Sequence, residues 1–310
     1  MDEQGEREFR VLLATDGSES ARNAEDWVPR LCWPPTCVVD VLCVASHGLA
    51  RLGWPVEADR SAARQVLEKL RESEVIQAER IANEVGLRLQ DRGIATRSWA
   101  RQGEARALAG DIAAEILATI ELDRPSLVVI GPRGRSKFAE FLLGSVSRRV
   151  IAESRSPVLV ARQPPPMEPA ELPRSLLVLV DGSPAVDGAL DWLLAARWLP
   201  TARVTLLGLL GFAPGVEDDD PDLVAQVNEA LRGDAVSTLE GLSRRLVERG
   251  CEVDLMLEQG QPQEVTLSVA EQLQPDVIVV ARPSGQRAQD PLPEKIARYA
   301  HTTTLIVPER

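Results

Sequence analysis

At 310 residues the chain is long enough for two domains of ordinary size, at roughly 100–200 residues each, and its 44% hydrophobic and 26% charged residues exclude a disordered or collagen-like polymer. No apolar run reaches the roughly 18–20 residues of a membrane helix, and the acidic start Met1-Asp2-Glu3 is unlike a secretory leader, so a cytoplasmic protein is expected. The net charge of −12 argues against nucleic acid or an anionic membrane as partner, but it is uneven: residues 1–161 carry 22 Lys and Arg against 24 Asp and Glu, and residues 162–310 carry 13 against 23.

In chain order, β-rich apolar runs are predicted near 9–15, 37–45, 94–100, 126–131 and 157–161. Between them lie segments of helical period. Ala21, Ala24, Val28 and Leu31 mark the first, and Ala63, Val66, Leu67, Leu70, Ala78, Ile81, Ala82, Val85 and Leu89 a longer second. A proline-rich connector, Arg162 to Arg174, then separates a domain at 1–161 from one at 175–310. In the second domain strands are predicted near 175–180, 202–210, 251–257, 276–281 and 303–307, with helices through Val186, Leu190, Leu193 and Leu194 and through Leu223, Val227, Ala230, Leu231, Leu242 and Leu246.

The second half echoes the first. Phe9 to Ser18 returns as Ser175 to Ser183, an apolar strand stopped by Asp-Gly-Ser in both. Pro125 to Gly131 returns as Pro275 to Ala281, and Pro157 to Val160 as Thr303 to Val307. A duplicated α/β unit of about 150 residues follows, and strands of near-continuous apolar character joined by helices imply a parallel sheet covered on both faces. The acidic run Glu217 to Asp222 reads as a solvated loop before a helix. Cys32, Cys37, Cys43 and Cys251 lack metal or redox spacing, and His47 and His301 are too far apart to suggest a metal centre or a histidine-activated nucleophile.

The chemistry is concentrated where the fourth strand ends. Gly131-Pro132-Arg133-Gly134-Arg135 opens a G-x-x-G pattern, followed after nine residues by Gly144-Ser145 and a helix that begins with Val146 and Ser147. Glycines let backbone amides approach a phosphate chain, and a helix start presents unpaired amides and the positive end of its dipole. Arg133 and Arg135, inside the loop, are the cations best placed to touch phosphate. Asp16, at the end of the first strand, faces the same crevice if strand order reverses between strands one and four. It could then accept from a ribose or help to hold Mg²⁺, although Asp-Gly-Ser is also sound turn chemistry by itself. In the second half Ala281 and Ser284 replace the first two glycines, Asp290 and Glu294 bring negative charge, and Pro291 and Pro293 remove amide donors, so no triphosphate is expected there.

These motifs resemble the universal stress protein family in its tandem two-domain form. The resemblance covers the Asp-Gly-Ser openings, the glycine pattern from Gly131 to Ser145, and Ser156-Pro157-Val158-Leu159-Val160. It implies two open parallel five-stranded sheets, each of order 3-2-1-4-5 with helices on both faces, and ATP as ligand. Adenine would lie near Ala14, Thr15 and Val44, ribose near Asp16 and Gly131, and phosphates on Gly134, Gly144 and Ser145. It also implies an intrachain pseudo-dimer through the last strands, with room for a homodimer. The chain then reads as an ATP-binding stress-response regulator acting on an unidentified protein partner. Weak ATP hydrolysis or phosphotransfer, and a nucleotide-free scaffold, are the alternatives, and no Walker lysine or kinase signature favours turnover.

Overall fold

The computed structural model describes residues 9–31, 37–45, 61–102, 110–133, 143–162, 174–195, 202–210, 221–284 and 291–309. The chain divides into two compact units, the first ending at Arg162 and the second continuing from Gln163. In the first, β1 (Arg10–Ala14), β2 (Val38–Ala45), β3 (Thr96–Gln102), β4 (Leu127–Ile130) and β5 (Val158–Val160) form parallel pairs in the order β3-β2-β1-β4-β5. Every residue of β4 and β5 is buried, as a sheet covered on both faces requires.

The order decides where the helices go. Right-handed crossovers toward β3 put α1 (Glu19–Trp27) and α2 (Ser61–Gln90) on one face, and those toward β5 put α3 (Gly110–Asp123) and α4 (Ser145–Glu153) on the other. Arg88 bridges Glu25 at 2.7 Å and Arg92 bridges Asp26 at 3.1 Å, tying α2 to α1, while α3 packs on α4. The entry to α1 is local chemistry. Gly17 takes φ +73°, Asp16 Oδ1 accepts from the Ser18 amide at 3.0 Å, and Ser18 Oγ caps the helix by accepting from the Ala21 amide at 3.2 Å.

Two helix stripes differ from the expected pattern. Ala78, Ala82, Val85 and Leu89 are buried, but Leu70 is 44% exposed. A helix of 30 residues is about 45 Å long and the 8 residues of β2 span about 26 Å, so α2 overruns its sheet. Ile81 lies against Gly17 at the end of β1, which leaves the turns before it beyond the strand ends. The same mismatch separates α6 (Pro221–Val247) from β7 (Arg203–Leu210): Leu239, Leu242 and Leu246 are buried, whereas Ala230 and Leu231 face solvent.

Asp40, on β2, is 2% exposed, and its carboxylate accepts from Arg10 at 2.9 Å and from Arg97 at 2.8 Å. One buried acid thus clamps β1, β2 and β3 together.

In the second unit, β6 (Ser175–Val180), β7, β8 (Glu252–Gln259), β9 (Val277–Arg282) and β10 (Thr303–Pro308) run parallel in the order β10-β9-β6-β7-β8. Leu177, Leu179, Ile278, Val280 and Ile296 centre its core under α7 (Pro262–Leu273) and α8 (Leu292–Tyr299), while α5 (Ala185–Ala195) and α6 follow β6 and β7. Asp181 and Gly182 repeat the first turn: Gly182 takes φ +76° and Asp181 Oδ1 accepts from the Ser183 amide at 3.0 Å. Among the described residues no helix is long and apolar enough to cross a membrane.

Candidate functional site

The carboxyl ends of β1, β2 and β4 bring most of the expected residues to one edge of the first sheet. Ala14 ends β1 and pairs with Leu42, so Val44 lies two residues further along β2. Thr15 continues the ladder, its amide donating to Leu42 O at 2.9 Å, and its buried hydroxyl accepts from the Gly17 amide at 3.2 Å. Asp16 holds the turn into α1, as Asp181 does in the second unit.

Gly131 follows β4 where that strand meets α1. A Cβ on it would stand 2.7 Å from the carbonyl oxygen of Ser20, so α1 itself demands glycine there. Ser20 Oγ accepts from the Arg133 amide at 3.3 Å, and Ser147 Oγ donates to Gly131 O at 2.8 Å, fastening α4 to the end of β4. The Gly144 amide does not point to an incoming phosphate. It donates to Pro132 O at 2.8 Å, tying the α4 cap to the chain leaving β4. Gly144 is the N-cap of α4 in extended conformation and, lacking a side chain, gives no cap bond to the first turn. The amides of Ser145, Val146 and Ser147 therefore form the helix start, with Ser145 exposed and the first intrahelical bond running from the Arg148 amide to Gly144 O at 2.9 Å. Gly134 and Arg135 lie outside the described residues.

The sequence reading missed Arg162, placed at the start of the connector. It is 8% exposed, and Trp27 Nε1 donates to its carbonyl at 2.9 Å, so it belongs to the first unit. Burial first, and the nearby charge of Arg133 second, push its guanidinium down to about 10. The available signal was position: a cation two residues past the end of β5 lies at the same sheet edge as the chain leaving β4.

The second unit carries different chemistry at the end of β9. Ser284, aligned with Gly134, donates through its amide at 2.7 Å and its hydroxyl at 2.9 Å to Glu309 Oε2, and these bonds draw the Glu309 carboxyl below the usual carboxylate range. Burial lowers the Arg282 guanidinium, an effect opposed by Glu294 in the first turn of α8. Pro291 caps that helix, with Pro293 inside it, so its start offers fewer amides than α4 does. Among the described residues no group of three or more His, Cys, Asp or Glu could hold a metal ion.

The model of the universal stress protein family matches residues 9–162 and again residues 173–308. The chain belongs to the universal stress protein family. Its two matched segments make it a tandem universal stress protein. A universal stress protein from Mycobacterium tuberculosis is 30% identical over 180 residues, covering 56% of this chain and 54% of the relative, and one from Methanocaldococcus jannaschii is 24% identical over 155 residues, covering 50% and 82%. This tandem universal stress protein thus matches about half the length of its mycobacterial relatives. A crystal structure of a universal stress protein from Archaeoglobus fulgidus shares the fold over 97% of this chain and 96% of its own, with a TM-score of 0.64 at 20% identity.

Proposed function

We propose that the first repeat binds one ATP per chain and that the protein is a stress-response regulator, in which the nucleotide biases conformation or association with a protein partner. The observation that carries this reading is the glycine-capped start of α4, set beside Arg133 at the carboxyl edge of β4. Adenine would rest by Ala14, Thr15 and Val44, with ribose at Asp16 and Gly131. The phosphates would take the amides of Ser145, Val146 and Ser147, with Gly134, Arg133 and Arg135 along the loop. Gly144 would act by leaving the helix start bare, since its own amide is committed to Pro132. Mg²⁺, if carried in, would come with the phosphates. Bound ATP supplies negative charge and a rigid base and sugar, and it shifts a population only if the two states bind it differently.

A second repeat that lacks the glycines and has prolines at its helix start fits a stoichiometry of one, and the proposal extends to domains at 1–161 and 175–310, pairing of the repeats through their last strands, a homodimer and a cytoplasmic location. The bond from the Gly144 amide to Pro132 favours one second reading, a nucleotide-free scaffold.

Denaturing the purified chain and identifying released nucleotide separates the two, with about one ATP per chain expected. Gly144→Trp, which puts a bulky group at the helix start, should abolish retention while the far-ultraviolet circular dichroism is kept. Undiminished retention would refute the loop assignment, and steady ADP production lost in the same variant would establish turnover instead.

A further inference from the structure

We propose that the outer strands β3 and β8 are complementary docking edges through which one copy of the chain binds the next, β3 of one against β8 of the other in antiparallel register. This specifies the contact of the homodimer proposed above, and it rests on the repeats of one chain meeting through their last strands, which leaves these two edges for another copy.

β3 ends the strand order of the first unit and β8 that of the second, and no further described strand pairs with their outer sides. Side chains alternate across a strand, so Arg97, Trp99 and Arg101 share one face of β3. Arg101 bridges Glu115 of α3 at 3.5 Å, which makes it the face of α3 and α4, while Ser98 lies against Gly86 of α2 on the other. On β8, Met256 packs against the core under α7 and α8, and Glu258 lines an open cleft with Glu264 and Val265 of α7. Asp254, Met256 and Glu258 therefore share the corresponding face of the second unit.

The two rows match in register. Leu12 and Leu177 are equivalent, each four residues before an Asp-Gly-Ser turn. Leu12 pairs with Asp40 and Asp40 with Arg97, whereas Leu177 pairs with Thr205 and Thr205 with Asp254. Arg97, Trp99 and Arg101 thus stand where the second repeat has Asp254, Met256 and Glu258. On β3 the cations face outward and their acid lies within, Arg97 being 52% exposed and its partner Asp40 3%. On β8 two acids, Glu252 and Asp254, share the one cation of Arg203, and Glu258 has a second acid, Glu264, across its cleft.

Because the units share one topology, each has its outer strand at the same hand when equivalent faces are viewed with the strands pointing up. Bringing those faces to one side of a joint sheet takes a half-turn of one unit about the sheet normal, which reverses its strands. Pairing is then antiparallel. With Trp99 opposite Met256, Arg97 meets Glu258 and Arg101 meets Asp254. Opposite charges across strands attract, and an aromatic ring accommodates a thioether well. Either row against its own copy sets cation on cation or acid on acid, which disfavours β3 on β3 and β8 on β8. The contact is therefore heterologous: each chain offers one edge of each kind, giving closed rings or open chains.

The test is sedimentation velocity of the full chain over a range of concentrations, with circular dichroism to check folding. The native chain should self-associate reversibly, and less so as salt rises. Arg101→Glu and Asp254→Arg should each raise the dissociation constant about tenfold. The chain carrying both should regain most of the native affinity, because the reversed charges meet each other. Arg101→Glu combined with Glu258→Arg, partners only in a parallel pairing, should stay weak. If Asp254→Arg does not fold, Glu258→Arg alone carries the single-variant expectation. Association indifferent to the single reversals, or rescued by the parallel combination, would overturn the assignment, as would a native chain that stays monomeric at about 0.1 mM. In that last case, coupled unfolding stabilities of Arg101→Glu and Asp254→Arg would set β3 against β8 within one chain and defeat the last-strand pairing as well. Independent stabilities would leave that pairing standing.

Discussion

Gly131 and Gly144 belong to one sequence pattern but serve different physical needs. At Gly131 an added methyl would meet the Ser20 backbone at 2.7 Å, and a carbonyl in a helix cannot step aside as a flexible side chain can. At Gly144 the nearest atoms to an added methyl lie at 3.4 Å and 3.5 Å, an ordinary contact distance. Gly131→Ala should therefore cost about 2 kcal/mol or more of stability, and Gly144→Ala less than about 1 kcal/mol, the usual penalty at a helix cap. Urea unfolding of the two variants checks the ranking, and equal costs would show that α1 does not press on Gly131. The pattern as written could not distinguish these roles, because Ser20 is more than a hundred residues away in sequence. Asp16 illustrates the converse. Its turn bond to Ser18 is local, and Asp181 repeats it in a repeat without the glycine loop, so that part of its role was readable from Asp-Gly-Ser alone.

At the scale of elements, apolar runs located the central strands well because strands buried on both faces leave little room for polar residues, whereas β3 and β8, at the ends of the strand orders, are polar and only partly buried. Helical stripes were less reliable. Periodicity names the face of a helix that would be buried but not how far the sheet beneath it extends, which is why Leu70, Ala230 and Leu231 lie in solvent. Asp40 is the opposite surprise, a charge inside a strand that read as plain core. Its two arginine partners come from β1 and β3, 26% and 52% exposed, so solvent weakens the pairs on their outer sides. Asp40→Ala leaves both cations without their common anion and should lower unfolding stability by about 2 kcal/mol, below the cost of breaking a wholly buried pair. A change under about 0.5 kcal/mol in chemical denaturation would mean that β1, β2 and β3 are held by backbone and apolar contacts alone.

At the scale of the whole molecule, duplication has given two repeats of the same topology whose matching strand ends carry different side chains. In the first, Arg133 follows β4 and Arg162 follows β5. In the second, Glu309 supplies an internal anion to the Ser284 amide and hydroxyl. Because the folded Glu309 carboxyl is drawn below its usual range, this contact is complete above the unfolded pKa and is lost as pH falls through the lower folded value. Glu309→Gln removes the charge at neutral pH, yet proline still interrupts the α8 start, so ATP stoichiometry should stay at about one per chain. Two bound nucleotides per chain by equilibrium dialysis would show that the carboxylate alone had closed the second site.

Length, the echoed segments, the Asp-Gly-Ser turns and the strand runs were determined by the sequence itself, because each depends on residues close together in the chain. Only the tertiary structure decided that Gly131 is glycine for the sake of Ser20, that the Gly144 amide is spent on Pro132, and that the Arg162 carbonyl accepts from the Trp27 indole. These depend on contacts between chain ends of separate strands, and a parallel sheet places such ends side by side only after every crossover has closed.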